Sequence, residues 1–168
     1  MGIQALPTQK QEVQVLTTHF QFRGQLESIG PAGNYLNNPS RQSLSLYDAQ
    51  ITPLASNSPL KAFSRPHVIL LKSQIVFLYF PAKEVRETVP TFPRRELLMS
   101  YTPIAVCRGY FHMPAEAKLT DFLSVVPSEL IPITETHLFP FAELPAPFPK
   151  EPELLLVGRT FLQFYHPM

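Results

Sequence analysis

The chain has few of the residues that usually carry chemistry or covalent stabilisation. It contains one cysteine, six glycines and no tryptophan among 168 residues. A single cysteine excludes an intramolecular disulfide framework and favours a reducing compartment. Six dispersed glycines are too few for a phosphate-cradling loop, and GPAGN at 30–34 lacks the Lys-Ser/Thr sequel of such a loop. These shortages exclude a disulfide-stabilised fold and argue against a nucleotide-binding enzyme with a phosphate-cradling loop.

Charge is also scarce and balanced. Only 16% of the residues are charged and the formal net charge is +1, so no strong field for nucleic acid or an anionic membrane is expected. The N-terminal sequence MGIQALPTQKQEVQV lacks the apolar core of a secretory signal. The apolar stretch 68–80 is broken by KSQ and is too short to span a bilayer. We therefore expect a cytoplasmic protein with no transmembrane segment.

Histidines and carboxylates form no catalytic or metal-binding pattern. None of the five histidines stands at ligand spacing from another histidine or from Cys107, and no close acidic pair lies in a motif. Cys107 occupies an apolar position of a strand pattern, where a thiol is expected to be buried and unreactive. We predict that the protein is not an enzyme and needs no cofactor.

Proline, in contrast, is abundant, with 19 residues, about twice its usual share of roughly 5%. Because proline interrupts helices and central strands, the elements must be short. With 45% hydrophobic residues, the composition predicts an all-β protein with a substantial core. Residues 20–26 alternate between apolar and polar side chains, which is the period of a strand. Residues 105–111 repeat this alternation, and Gly24 and Gly109 within the two stretches are interpreted as bend positions.

Three segments recur in the same order and predict two related units. FRGQL corresponds to CRGYF (107–111), DAQITP to ETHLFP, and RPHVILLKSQIVFLYFP (65–81) to EPELLLVGRTFLQFYHP (151–167) at an offset of 86. The last segment of each unit is predicted to be a strand pair around a tight turn. The predicted division is a flexible segment 1–12, a first unit 13–80, a proline-rich linker 81–96 and a second unit 97–168.

Each unit resembles the Sm-like small barrel. The resemblance rests on a strand with G-x-L, a YLN or DFLS element, the L-x-DA-x-I pattern and the terminal strand pair. KLTDFLS and ELIPITE of the second unit are also similar to a motif of an uncharacterised bacterial Sm-like family. The resemblance implies two tandem, strongly bent small barrels, each with a short helical turn. It further implies assembly, since neighbouring copies commonly occupy the strand edges of such barrels.

These observations favour a non-enzymatic assembly protein that binds protein subunits, as a homo-oligomer or within a larger complex. The ends of the two units carry more aromatic side chains than one inward face accommodates. The predicted partner interface comprises Phe77, Tyr79, Phe80, Phe164 and Tyr165. We expect Phe80 and Tyr165 to be buried between the units or against a partner, and the two units to form one body with pseudo-twofold symmetry. Segment 81–100 is expected to cross their junction.

The alternative is a protein that binds RNA or another single-stranded nucleic acid. Its candidate residues are Arg23, Asn37, Arg41, Arg65 and Lys72. Cations would neutralise phosphates and neighbouring tyrosines would stack on bases. Sm proteins contact nucleotides with an Arg-Gly or Lys-Gly pair in a loop, whereas the terminal turns here read KSQ and VGR. The sequence therefore favours protein partners over nucleic acid.

Overall fold

A computed structural model describes residues 7–168, and the prediction of a mostly β protein is confirmed. The described residues form ten strands: β1 Thr8–Leu16, β2 Phe20–Ile29, β3 Ser43–Pro53, β4 Phe63–Leu71, β5 Phe77–Tyr79, β6 Arg94–Tyr101, β7 Ala105–Met113, β8 Leu130–Pro140, β9 Leu154–Gly158 and β10 Phe164–Pro167. Short helices lie at α1 Ala32–Leu36, α2 Lys83–Arg86 and α3 Phe122–Val125, and 3-10 turns at Lys72–Gln74, Leu119–Asp121 and Arg159–Phe161.

All ten strands belong to one antiparallel sheet, in the order β10-β6-β7-β8-β9-β5-β1-β2-β3-β4. We call β1–β5 the first half and β6–β10 the second half. Within each half the last strand pairs with the first, and the second, third and fourth strands follow. The two halves meet where β9 pairs with β5.

The expected pair of closed barrels is not supported, because the sheet is open at both ends. Among the described residues β4 pairs only with β3, and β10 pairs only with β6. The expected terminal strand pairs are also wrong. The 3-10 turns at Lys72–Gln74 and Arg159–Phe161 redirect the chain, so the strands before and after each turn pair with different neighbours.

The expected boundaries also shift. Strand β1 begins at Thr8 and pairs along its whole length with β2, so residues 8–12 of the segment predicted to be flexible, 1–12, are strand. Residues 1–6 of that segment lie outside the described residues. Strand β6 begins at Arg94, inside the predicted linker 81–96. The connection between the halves is therefore shorter than predicted and contains α2.

The same irregularity bends both halves. The register of β2 on β3 shifts at Gly24, and that of β7 on β8 shifts at Gly109. Opposite these glycines lie two residues with positive φ, Asp48 at 50° and Glu135 at 51°. A Cβ at Gly24 would lie 2.9 Å from the carbonyl oxygen of Tyr47, so this approach favours glycine. The two bulges agree with the interpretation of both glycines as bend positions.

The pairing of the third strand with the fourth corresponds in the two halves at a constant offset of 87 residues. Leu44 pairs with Leu70, and 87 positions later Ile131 pairs with Val157. The sequence alignment of 65–81 with 151–167 at an offset of 86 is therefore one residue out of step, and Leu70 corresponds to Val157 rather than Leu156. The alignment follows matching prolines and tyrosines, whereas pairing follows the side chains that face the core.

Candidate protein interface

The junction between the halves shows how this sheet joins one unit to another. Phe77 of β5 pairs with Val157 of β9, and Leu78 pairs with Leu156. The amide of Gly158 extends the ladder by donating to the carbonyl of Val76 at 2.8 Å. The two halves thus share a short strand pairing rather than a flexible contact between separate domains.

Side chains cross this junction in both directions. The core cluster of the first half contains Leu154 and Leu156 of β9. The core cluster of the second half contains Phe77, together with Val76 and Leu16 of the first half. Leu156 and Phe77 are completely buried. Because each half contributes to the core of the other, the two are expected to unfold together.

Gly158 allows the two strands to approach this closely. A Cβ built on Gly158 would fall on the carbonyl oxygen of Ile75, far inside van der Waals contact. The backbone of Gly158 has φ −64° and ψ 118°, which any residue adopts. The requirement for glycine is therefore one of space and not of conformation.

An ion pair with a buried ammonium group links the 3-10 turn of the first half to the second half. The side chain of Lys72 is fully buried, and its Nζ lies 3.2 Å from Oε2 of Glu129. The same Nζ donates to the carbonyl of Asn38 at 3.0 Å. Lys72 was a candidate for nucleic-acid contact in the sequence, and here it is enclosed by protein.

Replacing Glu129 by Gln should cost more stability than replacing Lys72 by Met. The first change leaves a buried ammonium without its counter-charge, whereas the second removes the buried charge itself. Glu129 is partly exposed, so we expect a loss of about 1–2 kcal/mol for Glu129→Gln, below the range for fully buried pairs. Urea unfolding of the two variants provides the comparison. A larger loss for Lys72→Met would contradict this reasoning.

The connection between the halves and the proline-rich loop both cross this region. Arg86 of α2 donates to the carbonyl of Pro81 at 2.7 Å and pairs with Glu153 at 3.1 Å. In the loop between β8 and β9, the backbone of Ala146 exchanges two hydrogen bonds with the side-chain amide of Gln21, at 3.0 and 3.2 Å. These contacts hold the connection against the second half and the proline-rich loop against the first half.

The expected pseudo-twofold symmetry is wrong. By strand order and register, β5 corresponds to β10 and β4 to β9. A twofold axis would make the β5–β9 pairing recur as β10–β4, and these strands do not pair in the described residues. The halves are joined head to tail instead. A head-to-tail contact leaves one complementary surface unused at each end.

Within residues 7–168, the two unused surfaces are the outer edges of β4 and β10. In β4, Ile69 is 66% exposed, although its counterpart Leu156 is completely buried in the core of the other half. In β10, Phe164 is 55% exposed, although its counterpart Phe77 is completely buried. Each edge therefore presents to solvent the residue that the internal junction inserts into a neighbouring core.

The five predicted interface residues occupy three different environments. Phe77 crosses the junction, and Tyr79 packs against the second core with its ring 6.2 Å from that of Phe148. Phe80 is buried in the first core. Tyr165 packs against the second core and donates its hydroxyl hydrogen to Leu119. Phe164 is the exposed member of the five.

Two of the cations proposed for nucleic-acid binding are neutralised by carboxylates. Arg23 donates through two nitrogens to one oxygen of Glu12, at 3.1 and 2.9 Å. Lys72 is paired with Glu129. A phosphate would have to displace these carboxylates, which offsets the electrostatic gain of binding.

Of the remaining candidates, Asn37 and Arg41 lie in the loop between α1 and β3, and Arg65 lies on β4. Arg41 lies over the ring of Tyr35, 5.1 Å from its centroid, and Arg65 lies over the ring of Phe63 at 4.9 Å. Asn37 follows α1, and its side-chain oxygen is buried without a hydrogen-bond partner. Asn37, Arg41 and Lys72 lie around the loop after α1, where Lys72 and Arg41 both donate to the carbonyl of Asn38. Arg23 and Arg65 lie on β2 and β4, on either side of Gln50 of β3.

Burial shifts the pKa values of Cys107 and His112 in the directions that favour their neutral forms. Burial raises the pKa of the Cys107 thiol to about 12, so the thiolate is scarce at neutral pH. Burial lowers the pKa of His112, whose ring contacts Phe92 and Thr134. Within residues 7–168 no cluster of three or more potential metal ligands is found.

Comparison with protein-family models, curated proteins and solved structures finds no match to this chain. In the part of the chain that the structure describes, no helix is long and apolar enough to cross a membrane.

Proposed function

We propose that this is a non-enzymatic assembly protein that binds other protein chains through the outer edges of β4 and β10. The observation that carries the proposal is the exposure of Ile69 and Phe164, whose counterparts at the internal junction are completely buried. We further propose that the halves are duplicated copies of one Sm-like unit. The shared strand order and the two bulges at Gly24 and Gly109 support this origin.

The sequence of β4 supports binding at its edge. Proteins usually protect an exposed strand edge with charge, proline or a bulge. In β4, Arg65 and Pro66 provide such protection at one end, but residues 68–71 read Val-Ile-Leu-Leu. A continuous apolar run is typical of strands buried on both faces. Strand β9 has the similar run Leu-Leu-Leu-Val at 154–157 and is buried on both faces.

The test is a double charge substitution at the edges, Ile69→Lys with Phe164→Lys. Both side chains are more than half exposed, so the fold should tolerate lysine, which melting followed by circular dichroism would verify. Association measured by light scattering and by retention of native partners should weaken by at least tenfold. Burial of an unpaired charge costs more than the roughly 1.4 kcal/mol that tenfold represents.

The matched control is Phe139→Lys with Phe141→Lys, which changes two equally exposed aromatics away from the β4 and β10 edges. This variant should associate like the wild type. Equal association of the edge variant, or a wild-type chain that binds no protein at tens of micromolar, would reject the proposal. Binding of single-stranded RNA that falls steeply with salt would favour the nucleic-acid alternative instead.

A further inference from the structure

We infer that the partner at these edges is a second copy of the same chain, joined head to tail. Strand β10 of one copy would lie antiparallel to β4 of the next, in the register of β5 on β9. Phe164 would then pair with Leu70, and Tyr165 with Ile69. This inference rests on the proposed function and specifies its partner.

The register follows from correspondences within the chain. Phe77 and Phe164 are counterparts because Phe77 pairs with Leu16 of β1, and Phe164 pairs with Tyr101 of β6 at the matching position. Val157 and Leu70 are counterparts because they occupy matching positions opposite β8 and β3. The observed pairing of Phe77 with Val157 therefore becomes Phe164 with Leu70 between copies.

The exposed side chains also fall on the faces that this register requires. At the internal junction Leu156 enters the core of the first half, and Phe77 enters the core of the second. Between copies, Ile69 would enter the second core of the neighbour and Phe164 would enter its first core. Phe164 already stacks on Tyr101, with ring centroids 4.1 Å apart, so the aromatic edge is held in place before the partner arrives.

One residue makes the contact between copies weaker than the internal one. Leu71 occupies the position of Gly158, and it is 54% exposed. At the internal junction a Cβ at this position would fall on the carbonyl oxygen of Ile75. Between copies, Leu71 would meet the corresponding carbonyl of Leu162. The strands must therefore separate after Leu70, which leaves fewer hydrogen bonds and a reversible association.

The contact between copies is heterologous because it joins two different edges. Each copy that binds leaves one β4 edge and one β10 edge free at the ends of the assembly. Successive copies would then form a ring where the rotation closes, or a filament where it does not. A contact between two identical edges would stop at a dimer.

A mixing experiment tests the head-to-tail arrangement. Ile69→Lys blocks β4 and leaves β10 free, whereas Phe164→Lys blocks β10 and leaves β4 free. Each variant alone should sediment as a monomer, and an equimolar mixture should form a one-to-one dimer and nothing larger. Dimerisation of either variant alone, or no dimer in the mixture when wild type self-associates, would overturn the inference.

Substitution of Leu71 tests the register. Leu71→Gly should strengthen self-association by about tenfold, because it removes the Cβ that forces the strands apart. Leu71→Ala is the matched control, since it keeps the Cβ and should give no such gain. Equal or weaker association of Leu71→Gly relative to Leu71→Ala would overturn the register.

These outcomes separate the inference from the proposed function. If wild type and Leu71→Gly both remain monomeric, while a native partner is lost from the edge-charged double variant, the edges bind a different chain and the inference fails alone. If no chain binds in an edge-dependent manner, both fail.

Discussion

Phe77→Ala should lower the free energy of unfolding of the whole chain by about 3–5 kcal/mol, the range for removing a large buried aromatic side chain. Phe77 belongs by sequence to the first half but is completely buried in the core cluster of the second half. Its removal leaves a cavity at the junction that fixed strands on both sides cannot close. The loss should therefore appear in the unfolding of both halves.

Urea unfolding followed by circular dichroism and by tyrosine fluorescence is the measurement. Wild type and Phe77→Ala should each show one transition that coincides for both probes, with an m-value scaled to the surface of the entire chain. The control is Phe164→Ala at the exposed counterpart, where loss of the stack on Tyr101 should cost about 0.5–1.5 kcal/mol. Two separated transitions in the wild type would show that the halves fold independently.

Several features of the fold could be predicted from sequence because they depend on local pattern. Alternation along residues 20–26 and 105–111 identified β2 and β7, and the glycine predicted to bend each strand lies at a shift in register. The apolar position of Cys107 predicted its burial, and Cys107 is completely buried. These features follow from side chains that face one core, and each strand carries that information by itself.

The organisation of the sheet could not be predicted in the same way. Alternation tells which face of a strand is buried but not which strand lies at its edge. The two-strand segments around KSQ and VGR therefore resembled hairpins, although the strands of each segment pair elsewhere. A usable signal was present in the uninterrupted run 154–157, because burial on both faces indicates a strand between two cores.

The candidate site was missed in part for a related reason. Phe164 and Phe77 were both included in the predicted interface, but Ile69 and Leu71 were not, since a single apolar strand gives no indication that one face lacks a cover. Comparison with β9 supplies that indication, because Leu156 is buried where Ile69 is exposed. The interface thus becomes visible only when strands in the two halves are matched by pairing instead of by sequence similarity.

Gly158→Ala should destabilise the chain by about 3 kcal/mol, at the upper end of the usual cost of overpacking. The added Cβ would fall on the carbonyl oxygen of Ile75. Ile75 is completely buried between the 3-10 turn and β5, and Gly158 is held by its pairing with Leu130 of β8. The melting temperature should fall by roughly 10 °C, at 2–4 °C for each kcal/mol in a chain of this size. Calorimetry of the variant provides the measurement.

The counterpart position supplies the control for this change. Leu71→Ala also leaves alanine, at the equivalent point of β4, where the side chain is 54% exposed, and it should cost less than about 1 kcal/mol. Because φ at Gly158 is ordinary, a large effect of alanine there reports the closeness of β5 and β9 and not a conformational preference of glycine. Equal stability of Gly158→Ala and wild type would mean that the two strands have room to separate. In that case Leu71 would place no limit on pairing between copies, and the expected gain from Leu71→Gly would disappear with it.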